Sequence, residues 1–284
     1  MSDRIAVIGA GQMGNGIAHV FAQSGFDVTI IDVSNAALER GVATIAKNLD
    51  RQLKKGTIDA AAQQATLARI ATNASLDAAA DATVVIEAAT ENVDLKFDIF
   101  TKLDAIAPAG AILASNTSSI SITQIGARTK RPADVIGMHF MNPVPVMQLV
   151  EVIRGIATSD ATTERTVALA KAVGKTPCEA NDFPGFIANR ILMPMINEAF
   201  YCLMEGVGTA ESIDTVMKLG MNHPMGPLTL ADFIGLDTCV AILDVLHTGL
   251  GDPKYRACPL LRKYVDAGWL GRKSGRGVYT YAAN

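Results

Sequence analysis

His139 is the side chain of this sequence best suited to proton transfer, and Glu151 follows it at a spacing that permits pairing. His139 is one of four histidines and lies at the end of an apolar run, 135–140, that predicts a buried strand. Imidazole titrates nearest to neutrality, as general acid–base chemistry requires. Glu151 lies in the next apolar run, 148–153, beyond a turn with two prolines. If that turn places the two runs side by side, the carboxylate orients the imidazole and stabilises its charged form.

Three further polar residues, Glu91, Ser118 and Asn142, fall where predicted strands end, and Asn189 falls near the start of a predicted helix. The segment 115–119 offers hydroxyl and amide donors after a strand, although an ordinary serine/threonine turn is an equally good interpretation. Asn189 lies on an apolar helical face, and a buried amide without a partner is costly. We therefore expect Asn189 either to bond within a domain interface or to face a ligand.

A nucleotide site is what favours the catalytic interpretation, because His139 and Glu151 taken singly have common structural explanations. The segment Gly9-Ala10-Gly11-Gln12-Met13-Gly14 predicts such a site. A β-branched run, 4–8, precedes the glycines, a helical pattern follows them, and a second apolar run leads to Asp32. This strand–turn–helix–strand context distinguishes the dinucleotide-binding fingerprint from a glycine-rich turn of another α/β protein.

Each residue type in the fingerprint has a physical task. Gly9 permits a tight turn, Gly11 lets the backbone approach a pyrophosphate, and Gly14 lets helix and strand pack closely. The helix N-terminus offers N–H groups and a partial positive charge to the phosphates. Asp32 is expected to accept hydrogen bonds from ribose hydroxyls and to repel a 2′-phosphate, and no arginine follows it directly. NAD is therefore the predicted cofactor, in preference to NADP.

Composition limits the remaining possibilities. With 284 residues, of which 49% are hydrophobic, the chain is expected to form two domains. A net charge of −3 argues against nucleic acid as a partner. The four cysteines include no C-x-x-C pair, so we expect reduced thiols and no metal site. The first strand begins at residue 4 and no apolar run reaches membrane-spanning length, so we expect no signal peptide, no membrane partner and a cytoplasmic location.

Predicted strands and helices alternate up to residue 183, which indicates an α/β domain, 1–183, with a Rossmann-type, doubly wound and mainly parallel sheet. Within it, helices predicted over 35–55 and 59–69 form a helical hairpin. Beyond Pro184, which suits the first turn of a helix, we predict an all-helical C-terminal domain, 184–284. Its helices are predicted over 184–205, 209–218, 228–246 and 259–267. The first is apolar on more than one face, so we expect a homodimer through this domain.

Several stretches of the sequence closely resemble the L-3-hydroxyacyl-CoA dehydrogenase family, in the family's order and over essentially the whole chain. They are Ser115-Asn116-Thr117-Ser118-Ser119, Gly137-Met138-His139-Phe140-Met141-Asn142-Pro143-Val144-Pro145-Val146-Met147, Leu149-Val150-Glu151-Val152, Asp182-Phe183-Pro184-Gly185-Phe186-Ile187-Ala188-Asn189-Arg190 and Leu270-Gly271-Arg272-Lys273-Ser274-Gly275-Arg276-Gly277-Val278-Tyr279. The H-F-x-N-P-V segment is highly specific. The chain length, without a fused hydratase domain, is similar to that of bacterial members that act on four-carbon substrates.

The resemblance implies an NAD-linked enzyme of fatty acid and butanoate metabolism that interconverts (S)-3-hydroxyacyl-CoA and 3-oxoacyl-CoA, with a four-carbon acyl group. His139 would take the hydroxyl proton, Glu151 would be its partner, and Ser118 and Asn189 would bind the substrate. The implied NAD contacts are Gly9 to Gly14, Asp32, Glu91, Lys96, Ser118, Asn142 and Lys273. The implied coenzyme A contacts lie on the helix 35–55 and are Asn48 and, near the phosphates, Lys54 or Lys55.

Two alternatives stay open. A β-hydroxyacid dehydrogenase of the hydroxyisobutyrate type also joins a Rossmann domain to helices, but it uses a lysine early in the helical domain, where this chain has Asn189. A non-catalytic NAD-binding protein on the same fold needs neither His139 nor Glu151. The presence of both residues argues against that second alternative.

Overall fold

The chain divides into two compact units, which we describe separately. The computed structural model describes residues 3–282. The first unit ends at Asp182 and the second begins at Phe183. Strands and helices build the first unit, whereas the second is helical apart from isolated bridges at Gly271–Arg276 and Arg276–Thr280.

The described part of the first unit contains one eight-stranded sheet. In chain order the strands are β1 Arg4–Ile8, β2 Asp27–Ile31, β3 Ile70–Asn73, β4 Val84–Glu87, β5 Ile112–Ser115, β6 Val135–Phe140, β7 Leu149–Arg154 and β8 Thr176–Asn181. Across the sheet they lie in the order β3-β2-β1-β4-β5-β6-β7-β8. All neighbours are parallel except β6 and β7, which are antiparallel. The order therefore reverses direction between β1 and β4, where a doubly wound sheet binds its ligand.

Helices flank this sheet because its central strands are apolar on both faces. Val84, Val85 and Ile86 of β4 are fully buried, as strands covered on both sides require. The helices of the first unit are α1 Gln12–Gln23, α2 Asn35–Lys54, α3 Ala60–Ala68, α4 Val93–Ile106, α5 Ile122–Gly126 and α6 Asp160–Ala172. This architecture confirms the predicted fold class.

Strand β3 and helix α5 of the first unit were not predicted from the sequence. Strand β3 lies at the sheet edge, and its residues Ala71, Thr72 and Asn73 are exposed, so the apolar pattern of a buried strand is missing. Helix α5 has only five residues and depends on the side chain of Ser121, which accepts a hydrogen bond from the Gln124 N–H. A pattern search that relies on apolar periodicity overlooks both.

Helices of the second unit enclose their own core. They are α7 Ala188–Met204, α8 Ala210–Thr215, α9 Pro227–Ile234, α10 Leu236–Leu250 and α11 Pro259–Asp266, with a π-helical turn, Val216–Gly220, after α8. Met193, Ile196 and Phe200 of α7 are completely buried. They recur at the three- and four-residue intervals that place side chains on one helical face. Leu228 of α9 and Leu243 of α10 belong to the same core cluster.

Two predicted boundaries in the second unit are wrong. The first helix does not include Pro184, because Gly185 and Phe186 have positive φ angles of 76° and 49° and the helix begins only at Ala188. The helix predicted over 228–246 is two helices, because Gly235 has a φ of 106° and separates α9 from α10.

No helix within residues 3–282 is long and apolar enough to span a membrane. In that same part of the chain, no group of three or more histidine, cysteine, aspartate or glutamate side chains is arranged to hold a metal ion. The four cysteines are free thiols.

Candidate active site

The glycine segment after β1 forms a tight turn in which Gly9 and Gly14 leave no room for a side chain. Gly9 has a φ of 102°, and a Cβ atom there would lie 2.6 Å from the Ala88 carbonyl oxygen. A Cβ on Gly14 would lie 1.8 Å from the Gly9 carbonyl oxygen, so the start of α1 packs directly on the turn. Gly11 has no atom within 4 Å of a Cβ position and leaves an open cradle. These are the close contacts and the free space that a pyrophosphate requires.

Helix α1 presents its N-terminus at this cradle without a side-chain cap. Gly11 is the N-cap residue, and the first turn contains no acidic side chain. The unpaired N–H groups of a helix start and its partial positive charge are therefore available to an anion. In contrast, Ser34 caps α2 and Asn92 caps α4 with side-chain hydrogen bonds.

Asp32 links the glycine turn to the end of β2. Its Oδ2 atom accepts a hydrogen bond from the Ala10 N–H at 2.9 Å, and Oδ1 accepts one from the Ser34 N–H at 2.9 Å. The carboxylate thus lies beside the cradle and remains partly exposed. A ribose hydroxyl can donate to its remaining lone pairs, whereas a phosphate there would meet a negative charge.

His139 and Glu151 form a buried pair at the same edge of the sheet. They lie directly opposite each other in the antiparallel ladder of β6 and β7. The His139 Nδ1 atom is 2.8 Å from the Glu151 Oε2 atom. His139 is 8% exposed and Glu151 is 2% exposed. Because a carboxylate only accepts hydrogen bonds, Nδ1 carries the proton in this contact.

Glu91 organises the turn that carries Ser118. Its Oε1 atom accepts hydrogen bonds from the Thr117 hydroxyl at 2.5 Å, the Ser118 N–H at 3.0 Å and the Ser119 hydroxyl at 3.0 Å. Burial acts to raise the pKa of Glu91, but the charge of Lys96 and these hydrogen bonds outweigh it and lower the pKa below 4.5. Glu91 therefore holds the turn as a carboxylate at neutral pH.

Lys96 lies inside the protein rather than at the surface of the cradle. Its side chain is 1% exposed, and Nζ lies 2.7 Å from Oε1 of Glu87 and 3.3 Å from Oε2 of Glu91. Nζ also donates to the Ala89 carbonyl oxygen at 3.4 Å. Its three donors thus face protein acceptors. Sequence reasoning overlooked Glu87, which looked like an ordinary last residue of an apolar strand.

A second turn, 142–147, lies against the glycine cradle. The Asn142 Oδ1 atom accepts a hydrogen bond from the Gln12 Nε2 atom at 3.1 Å. Lys175 stabilises this turn, because its Nζ donates to the carbonyl oxygens of Val144 at 2.6 Å and Met147 at 2.7 Å. Burial lowers the pKa of Lys175. Sequence reasoning had no signal for this role, since Lys175 only precedes an edge strand.

A cavity of about 450 Å³ opens between this turn, the start of α1 and one face of α2. From α2 it is lined by Arg40, Thr44 and Asn48, which recur every four residues. Asn48 was singled out from the sequence, whereas Arg40 and Thr44 were not. Lys54 and Lys55 are exposed near the far end of α2 and do not line the cavity.

The second unit holds the two remaining predicted site residues. Asn189 lies in the first turn of α7, where its N–H donates to the Gly185 carbonyl oxygen at 3.1 Å. Lys273 lies in the C-terminal segment and donates to Asp237 at 2.7 Å. The structure thus brings the predicted residues of the first unit together at one edge of its sheet, apart from Lys54 and Lys55. Asn189 and Lys273 belong to a separate compact unit.

These features match one family over almost the whole chain. The model of the 3-hydroxyacyl-CoA dehydrogenase NAD binding domain matches residues 4–183, and the model of the C-terminal domain of 3-hydroxyacyl-CoA dehydrogenase matches residues 185–281. The chain therefore belongs to the 3-hydroxyacyl-CoA dehydrogenase family, and the resemblance noted from its motifs is confirmed.

Individual relatives are similar at high identity. The chain is 59% identical over 278 residues to a probable 3-hydroxybutyryl-CoA dehydrogenase of Bacillus subtilis (strain 168), covering 98% of this chain and 97% of the relative. It is 58% identical over 278 residues to a 3-hydroxybutyryl-CoA dehydrogenase of Bradyrhizobium diazoefficiens, covering 98% and 95%. The crystal structure of (S)-3-hydroxybutyryl-CoA dehydrogenase from Ralstonia eutropha is 53% identical and superposes with a TM-score of 0.97, covering 100% of both chains.

Proposed function

We propose that this chain is an NAD-dependent dehydrogenase that interconverts (S)-3-hydroxybutyryl-CoA and acetoacetyl-CoA in fatty acid and butanoate metabolism. The observation that carries the proposal is the buried His139–Glu151 pair, 2.8 Å apart, on the sheet edge that also bears the glycine cradle. An acid–base group beside a dinucleotide site is what oxidation of a secondary alcohol needs. The family membership and the high identity to 3-hydroxybutyryl-CoA dehydrogenases support it.

The residues of the cradle fit NAD. Gly9, Gly11 and Gly14 leave the space for a pyrophosphate, and Asp32 lies where it can accept from a ribose. When bound, NAD supplies the hydride acceptor in the oxidation and, as NADH, the hydride donor in the reduction. We propose further contacts to the cofactor from Ala10, Gln12 and Met13 in the cradle and from Glu91, Ser118, Asn142 and Lys273.

His139 is proposed to manage the proton. In the oxidation its neutral Nε2 takes the proton of the 3-hydroxyl, and in the reduction the protonated ring returns it to the 3-oxo group. Glu151 holds Nδ1–H, which fixes the ring orientation and the tautomer, and it balances the charge of the imidazolium. Ser118 and Asn189 are proposed to hydrogen-bond the substrate and to orient it for this exchange.

The acyl-CoA is proposed to extend along α2. The cavity beside the cradle is lined by Arg40, Thr44 and Asn48, so it combines a cation with polar groups. Lys55 lies seven residues beyond Asn48, which places it on the same helical face two turns further along, whereas Lys54 is displaced by roughly 100°. The coenzyme A phosphates would therefore meet Arg40 and Lys55 as cations, and Lys54 is the weaker candidate.

Assembly as a homodimer through the second unit is also proposed. Ile191, Val207, Leu219 and Met221 of this unit are each more than three-fifths exposed. Exposed large apolar side chains in such number favour burial against another protein surface. Light scattering coupled to size-exclusion chromatography should give the mass of a dimer, and Leu219→Glu should reduce it if this surface forms the interface.

A cytoplasmic location is proposed on the basis of the thiols. Cys178, Cys202, Cys239 and Cys258 are all free, which suits a reducing compartment. Cell fractionation with an antibody to the protein would test this directly.

The experiment for the catalytic proposal compares substrates. Purified protein with NADH and acetoacetyl-CoA should consume NADH, which its absorbance reports, and chiral analysis should identify the S product. Turnover of 3-hydroxyisobutyrate with NAD, but not of acetoacetyl-CoA with NADH, would assign the chain to the hydroxyisobutyrate type instead. Binding of NADH without turnover of either substrate would leave only a nucleotide-binding protein.

A further inference from the structure

Glu87 is a fully buried carboxylate at the point where the sheet reverses its winding. It is the last residue of β4 and is 0% exposed. In the sheet it lies opposite Ile8 of β1 on one side and Ser115 of β5 on the other. Its side chain therefore starts from the same sheet edge as the glycine cradle and the turn of Ser118.

Three hydrogen bonds from neighbouring residues hold this carboxylate. Oε1 accepts hydrogen bonds from the Lys96 Nζ atom at 2.7 Å and from the Ala89 N–H at 2.7 Å. Oε2 accepts a hydrogen bond from the Ser115 hydroxyl at 2.6 Å. Glu87 also receives the Asn116 N–H at its own carbonyl oxygen, at 2.7 Å. A buried charge without such partners would be costly, so this arrangement is specific.

Lys96 connects Glu87 to Glu91. The ammonium lies between the two carboxylates, 2.7 Å from Glu87 and 3.3 Å from Glu91. Glu91 in turn accepts the N–H of Ser118 and the hydroxyl groups of Thr117 and Ser119. An ion pair between Lys96 and Glu91, together with charge-assisted hydrogen bonds on either side of it, therefore links the end of β4 to the backbone of Ser118.

We propose that Glu87 is a positioning residue, which fixes the Ser118 turn through Lys96 and Glu91. This inference rests on the proposed function, in which Ser118 meets both cofactor and substrate. Lys96 then acts through Glu91 and not by direct contact, in keeping with its 1% exposed side chain. Glu87 touches neither ligand and acts only through the geometry of this network.

The charge of Glu87 matters because one ammonium serves two carboxylates. If Glu87 becomes neutral, the buried Lys96 ammonium has Glu91 as its only anionic partner in the network. The Glu91 carboxylate then turns toward Lys96 and gives up hydrogen bonds to the 117–119 turn. Loss of defined geometry at a substrate-orienting group costs rate even when the group itself is unchanged.

The test is Glu87→Gln, which keeps the shape of the side chain and removes its charge. We expect the dissociation constant of NADH, measured by fluorescence titration, to rise about fivefold, and kcat/KM for acetoacetyl-CoA to fall about 10–100-fold. The matched control is Asp104→Asn, the same chemical change at another largely buried ion pair of the first unit. Asp104 pairs with Arg131 at 3.2 Å, away from the network. The Asp104→Asn substitution should lower the melting temperature of the protein without a change in NADH affinity.

A double-mutant cycle with Glu91→Gln separates positioning from a general loss of structure. If Glu87 acts through Glu91, the factors by which the two changes raise the dissociation constant of NADH do not multiply. The double variant then has the dissociation constant of the single variant that binds NADH more weakly. Multiplied effects, or a Glu87→Gln variant with wild-type NADH affinity and kcat/KM, would overturn the inference.

A milder variant keeps the test decisive if Glu87→Gln does not fold. Ser115→Ala removes one donor to Glu87 and leaves all charges in place. It should raise the NADH dissociation constant about twofold to threefold. In the Glu91→Gln background, the same change should leave the NADH dissociation constant unaltered. Unchanged NADH affinity would again overturn the inference. Failure of the wild-type protein itself to bind NADH would instead refute the proposed function.

Discussion

The Nδ1 atom of His139 lies 2.8 Å from the Oε2 atom of Glu151, and the backbone register of the sheet enforces this contact. The two residues are direct partners in the one antiparallel ladder of the described sheet, between β6 and β7. A slip of one residue would turn the Glu151 side chain to the opposite face. The pair is therefore built into the fold and does not depend on a flexible loop.

This contact predicts how pH controls the rate. Oxidation needs neutral imidazole, so kcat/KM for the alcohol should rise with pH, and reduction should show the opposite dependence. Glu151→Gln should slow turnover in both directions, because the His139 ring loses its carboxylate partner at 2.8 Å and is less well oriented. The measurement is kcat/KM across pH in both directions.

The matched control for this variant is Glu179→Gln on the neighbouring strand β8. Glu179 is exposed, so its change should alter neither the pH profile nor the rate. If Glu151→Gln turned over at the wild-type rate in both directions, Glu151 would be a strand-end carboxylate and not the partner of His139 in catalysis.

Cofactor choice should depend on Asp32. Asp32→Ser combined with Val33→Arg should narrow or invert the preference for NADH over NADPH, because it removes the repulsion of the 2′-phosphate and adds a cation. Val33 is 94% exposed, so an arginine side chain fits there without rearrangement. Val33→Arg alone should retain a preference for NADH. Equal kcat/KM values for NADH and NADPH in the wild-type protein would show that Asp32 does not set the choice.

Coenzyme A binding should distinguish two adjacent lysines. Lys55→Ala should raise the KM for acetoacetyl-CoA severalfold with little change in kcat, as expected for a contact that is equal in ground and transition states. Lys54→Ala is the control on a different helical face and should have a smaller effect. Equal and negligible effects of both changes would leave these lysines as an exposed helix end without a role in binding.

Stability at low pH should depend on a buried histidine of α1. Burial lowers the pKa of His19 from 6.5 to about 4. The unfolded chain binds a proton at His19 near pH 6.5, whereas the folded chain does not. The contribution of His19 to the free energy of unfolding is therefore fully present above about pH 6.5 and is lost as the pH falls toward 4. Protonation of His19 lowers the free energy of unfolding by about 3 kcal/mol in total.

Thermal unfolding across this pH range checks the role of His19. His19→Gln should have a smaller loss of melting temperature between pH 6.5 and pH 4 than the wild-type protein. His247→Gln, at a partly exposed position of α10, should retain the wild-type dependence. The same dependence in wild type and His19→Gln would mean that other groups cause the acid destabilisation.

Strong local patterns made the first unit predictable. Strands β1 and β6 have the predicted bounds, because buried apolar runs and glycine turns leave few alternatives. The sequence predicted the His139–Glu151 pairing only on the condition that the two-proline turn places their strands side by side, and the antiparallel ladder of β6 and β7 meets that condition. By contrast, the start of α7 depends on the positive φ angles of Gly185 and Phe186, which no periodicity reveals. Glu87 was missed because its importance comes from Lys96 and Ser115, which are distant in sequence and meet it only in the folded sheet.

The rate of NADH oxidation with acetoacetyl-CoA, measured in parallel for the wild-type protein and His139→Gln, tests the central claim most directly. The account predicts rapid turnover by the wild type and a rate about 10²–10⁴-fold lower in the variant, because the proton donor is removed. NADH affinity should be nearly unchanged, since His139 is not part of the cradle. A variant that binds NADH normally and reduces acetoacetyl-CoA at the wild-type rate would contradict the account.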